Sequence, residues 1–312
     1  MKILAIDGGG VRGVYAAHYL ARLQEETGIV YSDYFDLVTG TSTGSIIAAA
    51  IASDYPLDSV VQLYINHADD IFTRKWFSWL GAFRTKFGSS SLESHLIEAF
   101  GQKTLSDVKT NLLIPATDVG NAGVHVFKSP YDSEFVRDKN VRIVDAVLAS
   151  CSAPTYFKPR TVDKYLLADG GLWANNPSLV SLVEAKRRFK SDLSEVRLLS
   201  MGCGLGKRYY QRNSGNCLRR WGLLTGWGGS KLIDVILNMQ SFSSANMVGL
   251  LLDESQYHRV DFVESGKLTL DDTSIVPNLV SRSDRDFTHD ISDIKRFLGL
   301  NDAGCSEAME AT

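Results

Sequence analysis

The chain predicts an α/β protein, a mostly parallel sheet covered by helices with a helical C-terminal elaboration. Three observations carry this expectation. Short apolar runs alternate with longer amphipathic ones through the first half, the pattern of strands that return through helices to a parallel sheet. Two strand-to-helix transitions, Asp7 to Gly13 and Gly40 to Gly44, are glycine-rich, as sharp turns require. After Gly202 the pattern gives way to glycine, arginine and aromatics, then to a long helical stretch.

In chain order, Lys2 to Ile6 reads as a buried strand and Val14 to Thr27 as a helix. Phe35 to Val38 leads into a second turn, followed by a helix rich in alanine and isoleucine from Ser45 to Ala52. Asp58 to Phe72 has helical spacing, with Val60, Val61, Leu63, Tyr64 and Ala68 on one face. Ser91 to Phe100 is expected to be helical with Ser91 as its cap. Asn111 to Asp118 and Val124 to Lys128 form a strand pair around the turn Gly120-Asn121-Ala122-Gly123. Arg142 to Ser150 reads as a helix and Val196 to Met201 as a buried strand. Beyond lie a long helix from Ser230 to Leu252, an alternating strand from Tyr257 to Val263 and a helix from Phe287 to Leu300. The economical organisation is one domain over 1–312, with a core of about 1–204, an elaboration of about 205–300 and a frayed tail over 301–312.

Composition narrows the classes. The 312 residues are 44% hydrophobic and 22% charged, with a formal net charge of -3, enough for a large core and against a general nucleic-acid binder. No apolar run reaches the roughly 18 residues of a membrane span, and Met1 to Asp7 is too short for a signal-peptide core. Cys151, Cys203, Cys217 and Cys305 lack paired metal-ligand spacing and are too few for a disulfide framework. The expectation is a cytoplasmic protein with reduced thiols and neither metal nor cofactor.

Gly40-Thr41-Ser42-Thr43-Gly44 fits the elbow that exposes a nucleophilic serine between a strand and a helix. Asp7-Gly8-Gly9-Gly10-Val11-Arg12-Gly13 has the spacing G-x-G-x-x-G and admits two functional readings. It is a dinucleotide loop, for which Asp33 and Asp36 lie at the right distance without clearly ending a strand. Alternatively, the amides of Gly8, Gly9 and Gly10 cradle an oxyanion. Only the second also accounts for Ser42.

A nucleophilic serine needs a base. His258 and His289 come late enough in the chain for a Ser-Asp-His order, but no glycine-rich loop presents either. Asp169 follows the apolar run Tyr165-Leu166-Leu167-Ala168 and precedes Gly170-Gly171, so a strand would deliver it into a tight turn.

Asp7-Gly8-Gly9-Gly10-Val11-Arg12-Gly13, Gly40-Thr41-Ser42-Thr43-Gly44 and Asp169-Gly170-Gly171, in this order and spacing, resemble the patatin-like phospholipase family. The likeness covers about 2–177 and includes Ser152-Ala153-Pro154-Thr155-Tyr156-Phe157. It implies a three-layer α/β/α fold and a lipid acyl hydrolase with a Ser-Asp dyad. By position Ser42 is then the nucleophile and Asp169 its base, Gly8, Gly9 and Gly10 supply oxyanion amides, and Arg12 takes the basic position of that loop. The early start and Ser45-Ile46-Ile47-Ala48 after the elbow look most like bacterial members, some of which resemble CapV-type effectors of antiphage signalling, switched on by cyclic dinucleotides.

Two further segments bear on partners. Trp76, Phe77 and Trp79, interleaved with Arg74, Lys75, Arg84 and Lys86, suit either a membrane interface or an ordinary packed segment with a basic rim. Arg208, Tyr210, Arg212, Arg220 and Trp221 suit a cyclic dinucleotide activator, a membrane-facing lid or a solvated loop. The expected partners are a membrane phospholipid substrate, met at the inner membrane, and a cyclic dinucleotide, with oligomers open. The competing functions are a nucleotide-binding regulatory module with a vestigial lipase core, and a Rossmann oxidoreductase that leaves Ser42 and Asp169 unexplained.

Overall fold

The structure, a computed structural model, describes residues 1–72, 85–206, 227, 230–266 and 268–300. Strand β1 (Lys2–Ile6) runs through a 3-10 turn (Gly10–Arg12) into helix α1 (Gly13–Thr27), and a single turn, α2 (Tyr31–Tyr34), leads to β2 (Leu37–Gly40). Helices α3 (Thr43–Ala52), α4 (Leu57–Ile71) and α5 (Ser90–Phe100) precede the long β3 (Asn111–Asp118) and β4 (Gly123–Lys128). Then come α6 (Ile143–Ser150), β5 (Arg160–Val162), β6 (Tyr165–Asp169), the one-turn α7 (Gly171–Ala174) and α8 (Ser178–Arg187). The remainder is β7 (Arg197–Met201), β8 (Leu205–Gly206), α9 (Ser230–Leu251), β9 (Tyr257–Val260), β10 (Val263–Glu264) and α10 (Val276–Leu298).

The central sheet has the order β5-β6-β3-β2-β1-β7-β9, with β4 paired to β3. Strands β3, β2, β1, β7 and β9 are parallel to one another, while β4 and β6 run antiparallel to β3 and β5 runs antiparallel to β6. Alternation along β1 builds the three layers. Leu4 and Ile6 join Val14, Ile47, Val60 and Val147 on one face, while Ile3 and Ala5 join Leu182, Ala185, Val248 and Leu252 on the other. Each valine, leucine or isoleucine among these, taken fully out of water, contributes about 1.5–3 kcal/mol.

The C-terminal part is not helical only. Strand β9 extends the main sheet beside β7, β8 and β10 make a small second sheet, and α10 packs along α1. Its start at Val276, eleven residues before Phe287, is explained by Pro277 in the first turn, where a missing N–H costs nothing. The alternating run from Tyr257 breaks at Asp261, whose side chain turns back onto backbone N–H groups. Helix α5 begins at Ser90, and Ser91 lies inside it rather than capping it. Helix α8, unannounced by any pattern, is packed between sheet and α9.

Candidate active site

Ser42 lies between β2 and α3 with φ 52° and ψ -126°, a conformation rare for a residue with a side chain. Its surroundings enforce it. A Cβ on Gly40 would stand 2.1 Å from the Gly44 carbonyl oxygen, and one on Gly44 would stand 2.4 Å from that of Ile6. The Ser42 N–H donates to Ser150 Oγ at 2.8 Å, and Ser150 in turn donates to the Pro115 carbonyl at 2.7 Å. Thr41 Oγ1 donates to the Ala174 carbonyl and Ser45 Oγ to that of Ser42, both at 2.6 Å. The serine oxygen is thus presented at the N-terminus of α3, whose dipole favours negative charge.

Asp169 ends β6 and is 1% exposed. Ser42 Oγ donates to Asp169 Oδ2 at 2.6 Å, and the Gly171 N–H donates to Oδ1 at 2.7 Å. Burial pushes the carboxyl up to about 6, against the pull of the hydrogen bonds from Ser42 and Gly171. The turn beyond it is docked onto α9 by polar contacts. Asn175 Nδ2 donates to Ser241 Oγ at 2.8 Å, the Asn176 N–H to Gln240 Oε1 at 2.7 Å, and Ser244 Oγ to the Asn176 carbonyl at 3.0 Å.

The glycine loop lies beside the pair. The Gly8 N–H is already given to the Asn175 carbonyl at 2.9 Å, so Gly8 is not free to serve as an oxyanion donor. Among the described residues no backbone acceptor takes the N–H of Gly9 or Gly10, and Gly10 has φ +59°. Arg12 is buried and points into the protein, donating to the Gly9 carbonyl at 3.0 Å and the Gly204 carbonyl at 2.8 Å. Its role is to hold the loop. Carbonyl and N–H point in opposite directions across a trans peptide, so tying down the Gly9 oxygen turns the Gly10 N–H the other way.

Ser42, Asp169, Gly9 and Gly10 line one cleft of about 630 Å³, its solvent-open mouth included. The rest of its wall is mostly apolar, with Ile46, Leu63, Phe72, Leu92, Phe157 and Leu237. Such a wall accepts hydrocarbon and keeps water from the carboxylate.

The family model described as Patatin-like phospholipase matches residues 4–180. The chain belongs to the patatin-like phospholipase family. It is 32% identical over 268 residues to the cGAMP-activated phospholipase of Escherichia coli (strain TW11681), covering 80% of this chain and 75% of that one. To the cGAMP-activated phospholipase of Vibrio cholerae it is 30% identical, covering 90% and 89%. A cUMP-AMP-activated phospholipase of Escherichia coli is 34% identical over 65% of each chain. The crystal structure of VipD from Legionella pneumophila superposes with a TM-score of 0.51 at 13% identity, over 96% of this chain and 66% of VipD, a likeness of fold alone. As a patatin-like phospholipase the chain is a hydrolase, and its α/β architecture is that of the family.

None of the histidines lines this cleft. His258 bonds Asp290 at 3.1 Å, His18 bonds Asp284 at 2.8 Å, and His289 is exposed on α10. Cys151 and Cys203 are both buried and free. Trp76, Phe77 and Trp79 lie outside the described residues, as do Arg208, Tyr210, Arg212, Arg220 and Trp221 and the tail over 301–312. No helix among the described residues is long and apolar enough to cross a membrane. The sequence reading missed Ser150, which orients the Ser42 amide, and Asn175, which occupies the Gly8 amide. Ser150 carries no local signal, because an apolar helix end gives no hint of a contact 108 residues away.

Proposed function

We propose that the chain is a lipid acyl hydrolase of phospholipase A type, working through a Ser42–Asp169 dyad and an acyl-serine intermediate. The observation that carries this reading is the 2.6 Å hydrogen bond from Ser42 Oγ to a buried carboxylate in an apolar cleft. Asp169 Oδ2 accepts the hydroxyl proton as Ser42 Oγ attacks the ester carbonyl carbon. Charge gathers on the carbonyl oxygen, where the free amides of Gly9 and Gly10 receive it. When the tetrahedral species collapses, the ester C–O bond breaks and the proton on Asp169 passes to the departing lysolipid alkoxide. Water then gives a proton to Asp169 and attacks the acyl-serine, releasing the fatty acid and returning the proton to Ser42.

Activation by a cyclic dinucleotide, in antiphage defence, is the second part of the proposal. Its support is the likeness to relatives named for activation by cGAMP and cUMP-AMP. Arg208, Tyr210, Arg212, Arg220 and Trp221 are the residues proposed to meet that ligand, and Trp76, Phe77 and Trp79 those proposed to meet the inner membrane. The alternative, a nucleotide-binding module with a vestigial lipase core, is disfavoured by the intact serine–carboxylate pair.

The test is fatty-acid release from phosphatidylethanolamine–phosphatidylglycerol vesicles across a panel of cyclic dinucleotides. The expected result is release that at least one ligand stimulates and that Ser42→Ala abolishes. Release persisting in folded Ser42→Ala overturns the dyad, and turnover indifferent to every ligand overturns the activation.

A further inference from the structure

Residues 202–204, 259–262 and 270, beyond the 4–180 matched by the family, hold the glycine loop from outside. Asp261, just past β9, accepts the N–H groups of Gly204 and Phe262 on Oδ1, each at 2.9 Å. Its Oδ2 accepts Arg259 Nη2 at 2.6 Å. The same guanidinium reaches Asp7, the first residue of the loop, at 2.8 Å and 3.3 Å, and Ser200 Oγ at 2.7 Å. On the other side of Gly204, its carbonyl accepts Arg12 at 2.8 Å, and Arg12 holds the Gly9 carbonyl at 3.0 Å. One line of hydrogen bonds therefore runs from β9 to the peptide that presents the Gly10 N–H.

The packing leaves this line no slack. A Cβ on Gly202 would stand 2.1 Å from Asp261 Cγ, and Gly204 has φ +83° with Phe262 against it. From the far side, the Val11 N–H donates to the Leu270 carbonyl at 2.9 Å.

We propose that Arg259 and Asp261 are positioning residues for the hydrolysis, setting the peptide plane of the oxyanion loop through Gly204 and Arg12. This rests on the assignment of the Gly9 and Gly10 amides as oxyanion donors. A purely stabilising role explains the arrangement poorly. Two carboxylates on one part-buried guanidinium are weak as a source of stability, since apolar side chains of like volume often do as well. What an apolar side chain cannot do is fix the direction of a carbonyl. Burial raises Asp7 to about 6 despite the opposing pull of Arg259, so the cluster is held against its own desolvation cost.

The experiment compares Asp261→Ala, which removes the acceptor for Gly204, with Asp261→Asn, which keeps it. Turnover of a soluble short-chain ester and the rate of Ser42 labelling by a fluorophosphonate are measured per folded protein. For Asp261→Ala, kcat and the labelling rate should fall about 10- to 100-fold with KM little changed, as expected when a transition-state contact is misplaced by a fraction of an ångström to 1 Å. Asp261→Asn should restore most of both. Arg282→Met removes ion pairs to Glu264 and Asp286 near the same strands and serves as the comparator. It should lower Tm and leave kcat per folded protein unchanged. If Asp261→Ala does not fold, Arg259→Lys keeps a charge by Asp7 but not the fork to both carboxylates, and should lose about 3- to 10-fold in kcat. Wild-type kcat in Asp261→Ala, or equal losses in the Asn and Ala variants, overturns the proposal. Failure of wild-type Ser42 to label at all overturns the underlying assignment instead.

Discussion

The serine elbow and the glycine loop lie side by side in the wall of one cleft but are held in different ways. The elbow is set locally, by Gly40, Gly44 and the first turn of α3 pressed on β1. Its distant supports are Ser150, which accepts the Ser42 amide, and the Ala174 carbonyl, which accepts Thr41 Oγ1. The loop is set remotely, by Asn175, Gly204, Arg259 and Leu270. A tight turn stores its geometry in a few backbone contacts, whereas a loop with open amides must be restrained from outside, because an amide left open to the cleft cannot also anchor the loop.

The sharpest way to break the local half is Gly40→Ala. The new methyl has nowhere to go, so ester turnover is expected to fall by at least about 10³-fold, with lower Tm, because the strained turn cannot form. Activity within tenfold of wild type would show that the elbow tolerates relaxation. A smaller effect comes from pH. As the proposed base, Asp169 has to be ionised, and burial pushes its carboxyl up to about 6, so kcat/KM for a soluble ester should be flat above pH 7. Below 6 it should fall about tenfold per unit. A profile flat down to pH 5 contradicts the raised carboxyl. The smallest effect is expected at His258, which pairs with Asp290 on α10 away from the cleft. His258→Ala should change turnover by less than about twofold, and a loss of 10²-fold or more would reinstate a histidine base.

The same contrast decides what could be read before the structure was seen. Ser42, Asp169 and the two glycine-bounded turns were legible because a sharp strand-to-helix turn restricts residue type over five to seven neighbouring positions. The first half of the sheet was legible because its strands are short apolar runs between helices. What escaped depends on partners far along the chain. Gly8 looked equivalent to Gly9 and Gly10, yet Asn175 takes its amide. Arg12 read only as the basic position of that loop, yet its guanidinium is spent on two carbonyls behind it. The strand from Tyr257 was legible but its place was not, since nothing in Tyr257 to Val260 says that it will lie beside β7. Arg259 and Asp261 carried no motif at all.

The sharpest test of the proposed Ser42–Asp169 dyad is Asp169→Asn. The folded carboxyl lies above its ordinary 3.8, so protonation favours the folded state; that contribution is present below about 4 and lost as pH rises through about 6. At pH 8 the ionised group therefore costs stability, about 1.4 kcal/mol for each unit of displacement. Asp169→Asn is expected to label with a fluorophosphonate at least about 10²-fold more slowly than wild type, while its Tm at pH 8 rises by a few degrees. Labelling at the wild-type rate in the folded variant would contradict the dyad.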